Sequence, residues 1–208
     1  MEILSAAIDG FIAQSKLEWL AMLLGFAYLL FIIRENLLAW PCAFISTAIY
    51  IIVFWDAALL MESALNVYYL IMAAYGFWHW SKRQHHTHSD IPIVRWPLRW
   101  HLGAITGIVS ISAFSGYFLS ENSHAVWPYV DSFTTWASVF TTYLVARKVF
   151  ENWYYWLVID ATSIVLYLER GLYPTVILMS VYLIMICFGL FSWQKQWAKQ
   201  VRMQDALS

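Results

Sequence analysis

The chain has 208 residues, of which 62% are hydrophobic and only 12% are charged. A soluble fold of this length could not bury so much apolar surface, because soluble chains are about half apolar and about a quarter charged. The net charge of −1 excludes a bulk electrostatic attraction to nucleic acid. The composition therefore predicts an all-α integral membrane protein with no nucleic-acid partner.

Hydrophobic runs bounded by charged residues predict seven membrane-spanning helices, since a bilayer requires about 20 mostly apolar residues per span. The predicted spans are 17–33, 38–54, 59–80, 101–119, 132–149, 153–168 and 173–193. The first sixteen residues are too interrupted by polar side chains to span. Their apolar residues recur at helical spacing, which predicts a short amphipathic helix at the membrane surface.

The distribution of basic residues predicts how the chain is oriented in the membrane. An odd number of spans places the two termini on opposite sides. Ten of the twelve Lys and Arg residues fall on the side of the C-terminus, and only Lys16 and Arg170 fall on the other side. By the positive-inside rule, the C-terminus is cytoplasmic and the N-terminus lies outside.

Two sequence matches indicate an internal repeat. The segment 69–80 (YLIMAAYGFWHW) shares six of its twelve positions with 182–193 (YLIMICFGLFSW). Upstream, 35–40 (ENLLAW) resembles 151–156 (ENWYYW), with a slip of three residues between the two matches. The alternative is that apolar helices with tryptophan ends resemble one another through composition alone.

The repeat predicts two three-helix units, 17–80 and 131–194, joined by a linker helix at 101–119. A single linker helix makes the two units parallel, related by an axis along the membrane normal, as in SWEET-type transporters. Residues 1–208 then form a single transmembrane transporter domain.

The sixth span carries a stripe of residues suited to binding. Trp153, Trp156, Asp160 and Tyr167 share one helical face, and indoles stack well on flat or cationic ligands. A carboxylate in the middle of a span usually marks a pathway or a partner. The alternatives are an interfacial tryptophan belt for the indoles and a salt bridge or a protonated, hydrogen-bonded acid for Asp160.

The second and third spans carry further polar and aromatic candidates. On the third span, Glu62 is a second acid within the membrane, and the Asn66 amide suits a carboxamide or ribose hydroxyls. The full set of candidates on these two spans is Asn36, Trp40, Phe44, Thr47, Tyr50, Glu62, Asn66 and Tyr69.

Motifs for catalysis or for cofactors are absent from the sequence. There is no zinc-protease, nucleophile-elbow, Walker or dinucleotide-binding pattern. The three histidines of the segment 85–88 lie in a basic connection, where a solvated loop is favoured over a metal site. We predict no catalytic residue, no metal and no cofactor.

Three motifs together resemble those of the PnuC family of bacterial vitamin transporters. They are Glu35-Asn36-x-x-x-Trp40-Pro41, Tyr75-Gly76-Phe77-Trp78-His79-Trp80 and Trp153-x-x-Trp156-x-x-x-Asp160. The resemblance runs from about residue 17 to residue 197 and includes the three-one-three helix plan.

The resemblance implies facilitated diffusion of nicotinamide riboside across the bacterial inner membrane, without ATP or an ion gradient. It also implies trapping of the riboside by a cytoplasmic kinase, and a homotrimeric assembly. Trp153 and Trp156 would stack on the pyridinium ring, and Asn66 would bind the amide or the sugar. Asp160 or Glu62 would offset the positive charge or bind hydroxyls.

Other functions remain open at this point. Family members for thiamine and riboflavin are similar in sequence, so another vitamin is an alternative substrate. From a different class, Asp160 and Glu62 could form the acid–base pair of an intramembrane enzyme. A structural or sensory membrane protein without cargo is a third possibility.

Overall fold

The computed structural model describes residues 12, 14–56, 60–87, 92–122, 127–169 and 171–206, without the side chains of 60, 61 and 83–87. The predicted amphipathic helix falls outside the described residues, apart from its last few positions. Within the described ranges there are seven helices of eighteen residues or more. They are α1 (Lys16–Ile33), α2 (Ala39–Asp56), α3 (Leu60–Thr87), α4 (Leu98–Asn122), α5 (Pro128–Ala146), α6 (Asn152–Glu169) and α7 (Tyr173–Asp205).

Each predicted span overlaps one of these helices. The fifth, 132–149, runs past the end of α5 at Ala146, and several other helices extend beyond the apolar run. Helix α3 continues to Thr87 and α7 continues to Asp205, well past the predicted ends at 80 and 193. Hydropathy detects only the part of a helix that is apolar, whereas Lys, Arg and Gln continue a helix readily once it has formed. The predicted boundaries were therefore too short at these ends.

Six of the helices form a closed ring. Helices α1, α2 and α3 pack in sequence, and so do α5, α6 and α7. The ring closes because α3 packs on α5 and α7 packs on α1. Helix α4 lies outside the ring, against α5.

Four helices of the described chain, α1, α2, α4 and α7, are apolar enough by length and composition to cross a membrane. Helix α5 is less apolar than these four helices because hydroxyl side chains are frequent on it. These hydroxyls are buried, and two of them, Thr141 and Thr142, donate to the carbonyl oxygens four residues earlier, at 2.7 and 2.8 Å. Satisfied in this way, a hydroxyl can be buried in a helix at little cost.

Both halves of the ring contain the same tryptophan–glycine contact. In each half one indole lies on a glycine and meets a second indole edge-to-face, with 5.3 Å between the ring centroids. The two sets are Trp40, Gly76 and Trp80 in the first half and Trp153, Gly189 and Trp193 in the second half. The absence of a Cβ at each glycine allows this close approach.

These contacts correct the register of the sequence repeat. The sequence match pairs Trp40 with Trp156, but the equivalent contacts pair Trp40 with Trp153. Each tryptophan and glycine then lies 113 positions from its counterpart, and the three-residue slip disappears. The error arose because tryptophans at 153 and 156 both fit the motif, and only the packing distinguishes them.

Helices α1 and α5 end in matching turns. The N–H of Glu35 donates to the Ile32 carbonyl at 3.0 Å, and the N–H of Asn36 donates to the Phe31 carbonyl at 2.8 Å. The turn after α5 repeats this pattern around Lys148. The residue with positive φ in such a turn is usually glycine, yet here it is Glu35 (φ 55°) and Lys148 (φ 56°).

The same two residues form an ion pair that joins the halves of the ring. The Lys148 ammonium contacts the Glu35 carboxylate, and both side chains are buried. Two crossed hydrogen bonds flank the pair: Trp80 donates its indole N–H to the last turn of α5, and Trp193 donates to the last turn of α1, each at 3.0 Å. This end of the ring is therefore held together by contacts between the halves.

The connection between α3 and α4 is packed against the turn after α5. The backbone of Val94 pairs with Lys148 and Phe150 through hydrogen bonds of 3.1 and 2.8 Å. The Arg95 guanidinium lies 4.3 Å from the ring centroids of Phe150 and Trp197. Residues 94 and 95 are therefore held against the second half of the ring, while the side chains of the histidine segment lie outside the described part of the chain.

Candidate functional site

Asp160 is the central residue of the candidate site. It is the ninth of the eighteen residues of α6, and only 6% of it is exposed. Among the described residues, none forms a hydrogen bond or an ion pair with its carboxylate. An acid held in the middle of a membrane-spanning helix is costly and usually serves substrate binding or ion passage.

A tyrosine on another helix interacts with this carboxylate. The phenol of Tyr182 on α7 interacts electrostatically with Asp160 and with Tyr50 on α2. The Tyr182 hydroxyl lies 2.9 Å from the point where a Cβ on Gly25 of α1 would stand, and Ser46 is beside the same point. Side chains from α1, α2, α6 and α7 thus converge here.

A second polar cluster lies between α3 and α5. The Tyr69 hydroxyl forms a hydrogen bond with Ser138, and the phenols of Tyr28 and Tyr167 are close enough to interact with it. The neighbouring Tyr68 donates to the Val139 carbonyl at 2.7 Å. The structure therefore brings together Tyr69 and Tyr167, which the sequence placed on separate spans.

The two tryptophans of α6 occupy different settings. Trp153 is 1% exposed and lies against Gly189, and its indole N–H has no acceptor among the described residues. Trp156 is only partly buried and contacts both apolar clusters of the interior. Trp156 is thus the more accessible of the two indoles.

Asn66 and Glu62 differ in how far their side chains are exposed. Asn66 is buried and donates its amide to the backbone carbonyl of Glu62 at 2.9 Å. The Glu62 side chain is exposed in the first turn of α3. Glu62 therefore lies near the start of the helix, whereas the sequence placed it away from the helix ends.

The α2 candidates also fall into two groups. Thr47 and Tyr50 lie in the middle of α2, where Thr47 donates to the Ala43 carbonyl at 2.8 Å. Asn36 precedes the helix, is exposed, and accepts a hydrogen bond from the Leu38 N–H at 2.8 Å. Asn36 therefore does not share a helical face with Thr47, since Asn36 lies in a turn before the helix, and Trp40 is buried in the core.

Several polar residues near the site were missed by the sequence analysis, which considered only α2, α3 and α6. They are Tyr28, Ser46, Ser138, Ser163 and Tyr182. Two signals were present. Hydroxyl residues recur at helical spacing along α5, and the repeat itself pairs Tyr69 with Tyr182.

Two grooves in the described part of the chain are apolar and do not include the predicted site residues. One, of about 370 Å³, lies between α4, α5 and α6, and the other, of about 390 Å³, lies between α1 and α7. The candidate site is therefore the buried polar interior of the ring and not an external groove.

A ring of apolar helices enclosing an unpaired acid, phenols and hydroxyls is typical of a multi-pass membrane transporter. The family model described as nicotinamide mononucleotide transporter matches residues 15–195. The chain belongs to this family of transporters. The alternatives of an intramembrane enzyme and of a structural protein without cargo are therefore set aside.

Individual relatives agree with this assignment. The chain is 22% identical to proteins named nicotinamide riboside transporter PnuC from Escherichia coli K12 and Shigella flexneri, over 76% of this chain and 74% of each relative. It also resembles the crystal structure of the vitamin B3 transporter PnuC, with a TM-score of 0.73 and 19% identity, covering 95% of this chain and 90% of the other. This structural likeness shows that the fold is shared.

Proposed function

We propose that the chain carries nicotinamide riboside across the bacterial inner membrane by facilitated diffusion. The observation that carries this proposal is the buried and unpaired Asp160 carboxylate beside Tyr182. A cationic pyridinium is attracted to such an acid and to aromatic faces. The names of the relatives support the same substrate.

The riboside fits this interior better than the mononucleotide that the family description names. A phosphate adds about −1.5 to −2 charges near neutral pH. It would repel Asp160, and no described lysine or arginine forms an ion pair with that acid. Phosphorylation by a cytoplasmic kinase would therefore trap the product inside the cell.

The predicted binding residues take four roles in this proposal. Trp156, Tyr50, Tyr69 and Tyr167 surround the ligand, and Asn66, Asp160 and Thr47 supply polar groups. Trp40 and Trp153 support the site from the core. Glu62 and Asn36 are exposed at helix ends and act at the two mouths of the pathway.

Direct binding to purified protein tests the substrate. We expect nicotinamide riboside to bind more tightly than nicotinamide mononucleotide, thiamine or riboflavin in calorimetric titrations. A preference for thiamine or riboflavin would replace the substrate while leaving the transporter class intact. Preference for the mononucleotide would contradict the electrostatic argument.

Trp156→Ala is expected to weaken riboside binding by about 1–3 kcal/mol, the scale of losing one aromatic stacking partner. Trp55→Ala is the matched control, because Trp55 lies at the C-terminal end of α2 and is 66% exposed. Unchanged affinity in a folded Trp156→Ala protein would assign this indole to packing alone.

We further propose that the C-terminus is cytoplasmic and the N-terminus lies outside, as the Lys and Arg distribution predicts. In a protein whose Cys42 and Cys187 are replaced by alanine, an impermeant thiol reagent added outside intact cells should label Asn122→Cys. It should not label Met203→Cys, at the other end of the fold. The opposite labelling pattern would reverse the orientation.

The two halves are proposed to be parallel repeats related by an axis along the membrane normal, with α4 as the linker, in a single domain spanning 1–208. The support is the set of matching contacts 113 positions apart, which includes both tryptophan–glycine contacts and both terminal turns.

A homotrimer is proposed from the family resemblance, and cross-linking in membranes would detect it.

A further inference from the structure

Resting on the proposed transport of nicotinamide riboside, we propose that Tyr182 is a specificity-determining residue that binds a ribose hydroxyl together with Asp160. Among the described residues, neither side chain forms a hydrogen bond or an ion pair with another helix, so both are available to a ligand. Together they would make the site selective for the sugar as well as for the aromatic base.

The first support is a difference between two equivalent tyrosines. Tyr69 and Tyr182 are 113 positions apart, but the hydroxyl of Tyr69 is engaged by Ser138. The position on α1 that matches Ser138 is Gly25, which offers no side chain. Among the described residues, none forms a hydrogen bond with the Tyr182 hydroxyl, which points at the space that Gly25 leaves open.

The second support is the environment of that space. Ser46 lies beside it, and the Ser46 hydroxyl donates its proton to the Ala21 carbonyl at 2.7 Å. The ring of Tyr182 is fixed edge-to-face against Phe26, with 5.1 Å between centroids. The phenol is therefore held in one place by packing, while its hydroxyl stays available.

The third support is the asymmetry of charge. The residue on α2 that matches Asp160 is Thr47, whose hydroxyl bonds to its own helix. Of these two positions, only Asp160 therefore offers an unpaired acceptor, and the Tyr182 phenol is within range of its electrostatic influence.

The chemistry of these two groups suits a vicinal diol. A carboxylate only accepts hydrogen bonds, whereas a phenol both donates and accepts one. Adjacent hydroxyls of a ribose can donate to the carboxylate and bond to the phenol at the same time. A free nicotinamide base has no such hydroxyls and would leave both groups unpaired, which is costly in a buried site.

The test combines Tyr182→Phe with nicotinamide riboside lacking either its 2′- or its 3′-hydroxyl. We expect wild-type protein to bind one of the deoxy ligands about tenfold more weakly than the riboside. This factor corresponds to a loss of about 1.4 kcal/mol of binding free energy. In Tyr182→Phe this ratio should fall towards one. Tyr117→Phe is the control and should keep the wild-type ratio, because Tyr117 is 60% exposed on α4, outside the ring.

Gly25→Ala provides a second variant, because its Cβ would displace the Tyr182 hydroxyl without removing it. It should reduce discrimination between the riboside and the deoxy ligand as Tyr182→Phe does. If the ratio stays at the wild-type value in both variants, Tyr182 does not contact the sugar and the inference is overturned. If wild-type protein fails to bind the riboside at all, the proposed function itself fails.

Discussion

Replacing Lys148 by methionine is expected to destabilise the protein by about 3–5 kcal/mol, the cost of leaving one member of a buried ion pair without its partner. The Glu35 carboxylate would remain buried, and its second oxygen already has no hydrogen-bond partner among the described residues. Thermal unfolding in detergent would show the loss as a lower Tm.

The double variant Glu35→Gln and Lys148→Met is the control for this prediction. Removing both charges should restore most of the lost stability, since a buried pair and a neutral replacement are often close in free energy. Both residues keep their positive φ in all three proteins, so backbone strain cancels from the comparison. A single Lys148→Met protein that melts like wild type would show that the ion pair does not hold the two halves together.

Gly189→Ala is expected to destabilise the protein. Over-packing a core costs about 1–3 kcal/mol, and we expect a value near the upper end of that range. A Cβ at this position would overlap the six-membered ring of Trp153, which is fixed by its contact with Trp193. The indole cannot yield without moving α6 away from α7. Gly76→Ala should have a similar effect through Trp40.

Gly107→Ala is the matched control, because it lies in α4 with no atom near the position of an added Cβ. There the helix propensity of alanine should stabilise the protein by up to about 1 kcal/mol. Similar melting temperatures for Gly189→Ala and Gly107→Ala would show that the close contact between Trp153 and Gly189 does not contribute to stability.

Much of the fold was predictable because the membrane imposes simple rules on sequence. Charged residues bound each apolar run, so the positions of the seven helices follow from hydropathy. The matched segments at 69–80 and 182–193 pair Gly76 with Gly189, and each of these glycines contacts a tryptophan. Hydropathy gave no sign of the long ends of α3 and α7, nor of the pairing of Val94 with the turn after α5, which depends on backbone hydrogen bonds.

The candidate site was harder to predict, because a helical stripe shows which face a residue is on but not what covers that face. Asp160 was recognisable as an unusual acid in mid-span. Trp153 and Trp40 were both candidates for ligand binding, but in the structure they pack on glycines from distant segments. Tyr182 was missed because Gly25, which its hydroxyl approaches, lies on α1, far from it in sequence.

Transport into sealed liposomes is the most direct test of facilitated diffusion. With purified protein, internal nicotinamide riboside should rise to the external concentration and stop there, with or without an imposed pH gradient. Protein-free liposomes provide the background rate. Accumulation several-fold above the external concentration, driven by the gradient and abolished by Asp160→Asn, would show a proton-coupled transporter and contradict facilitated diffusion.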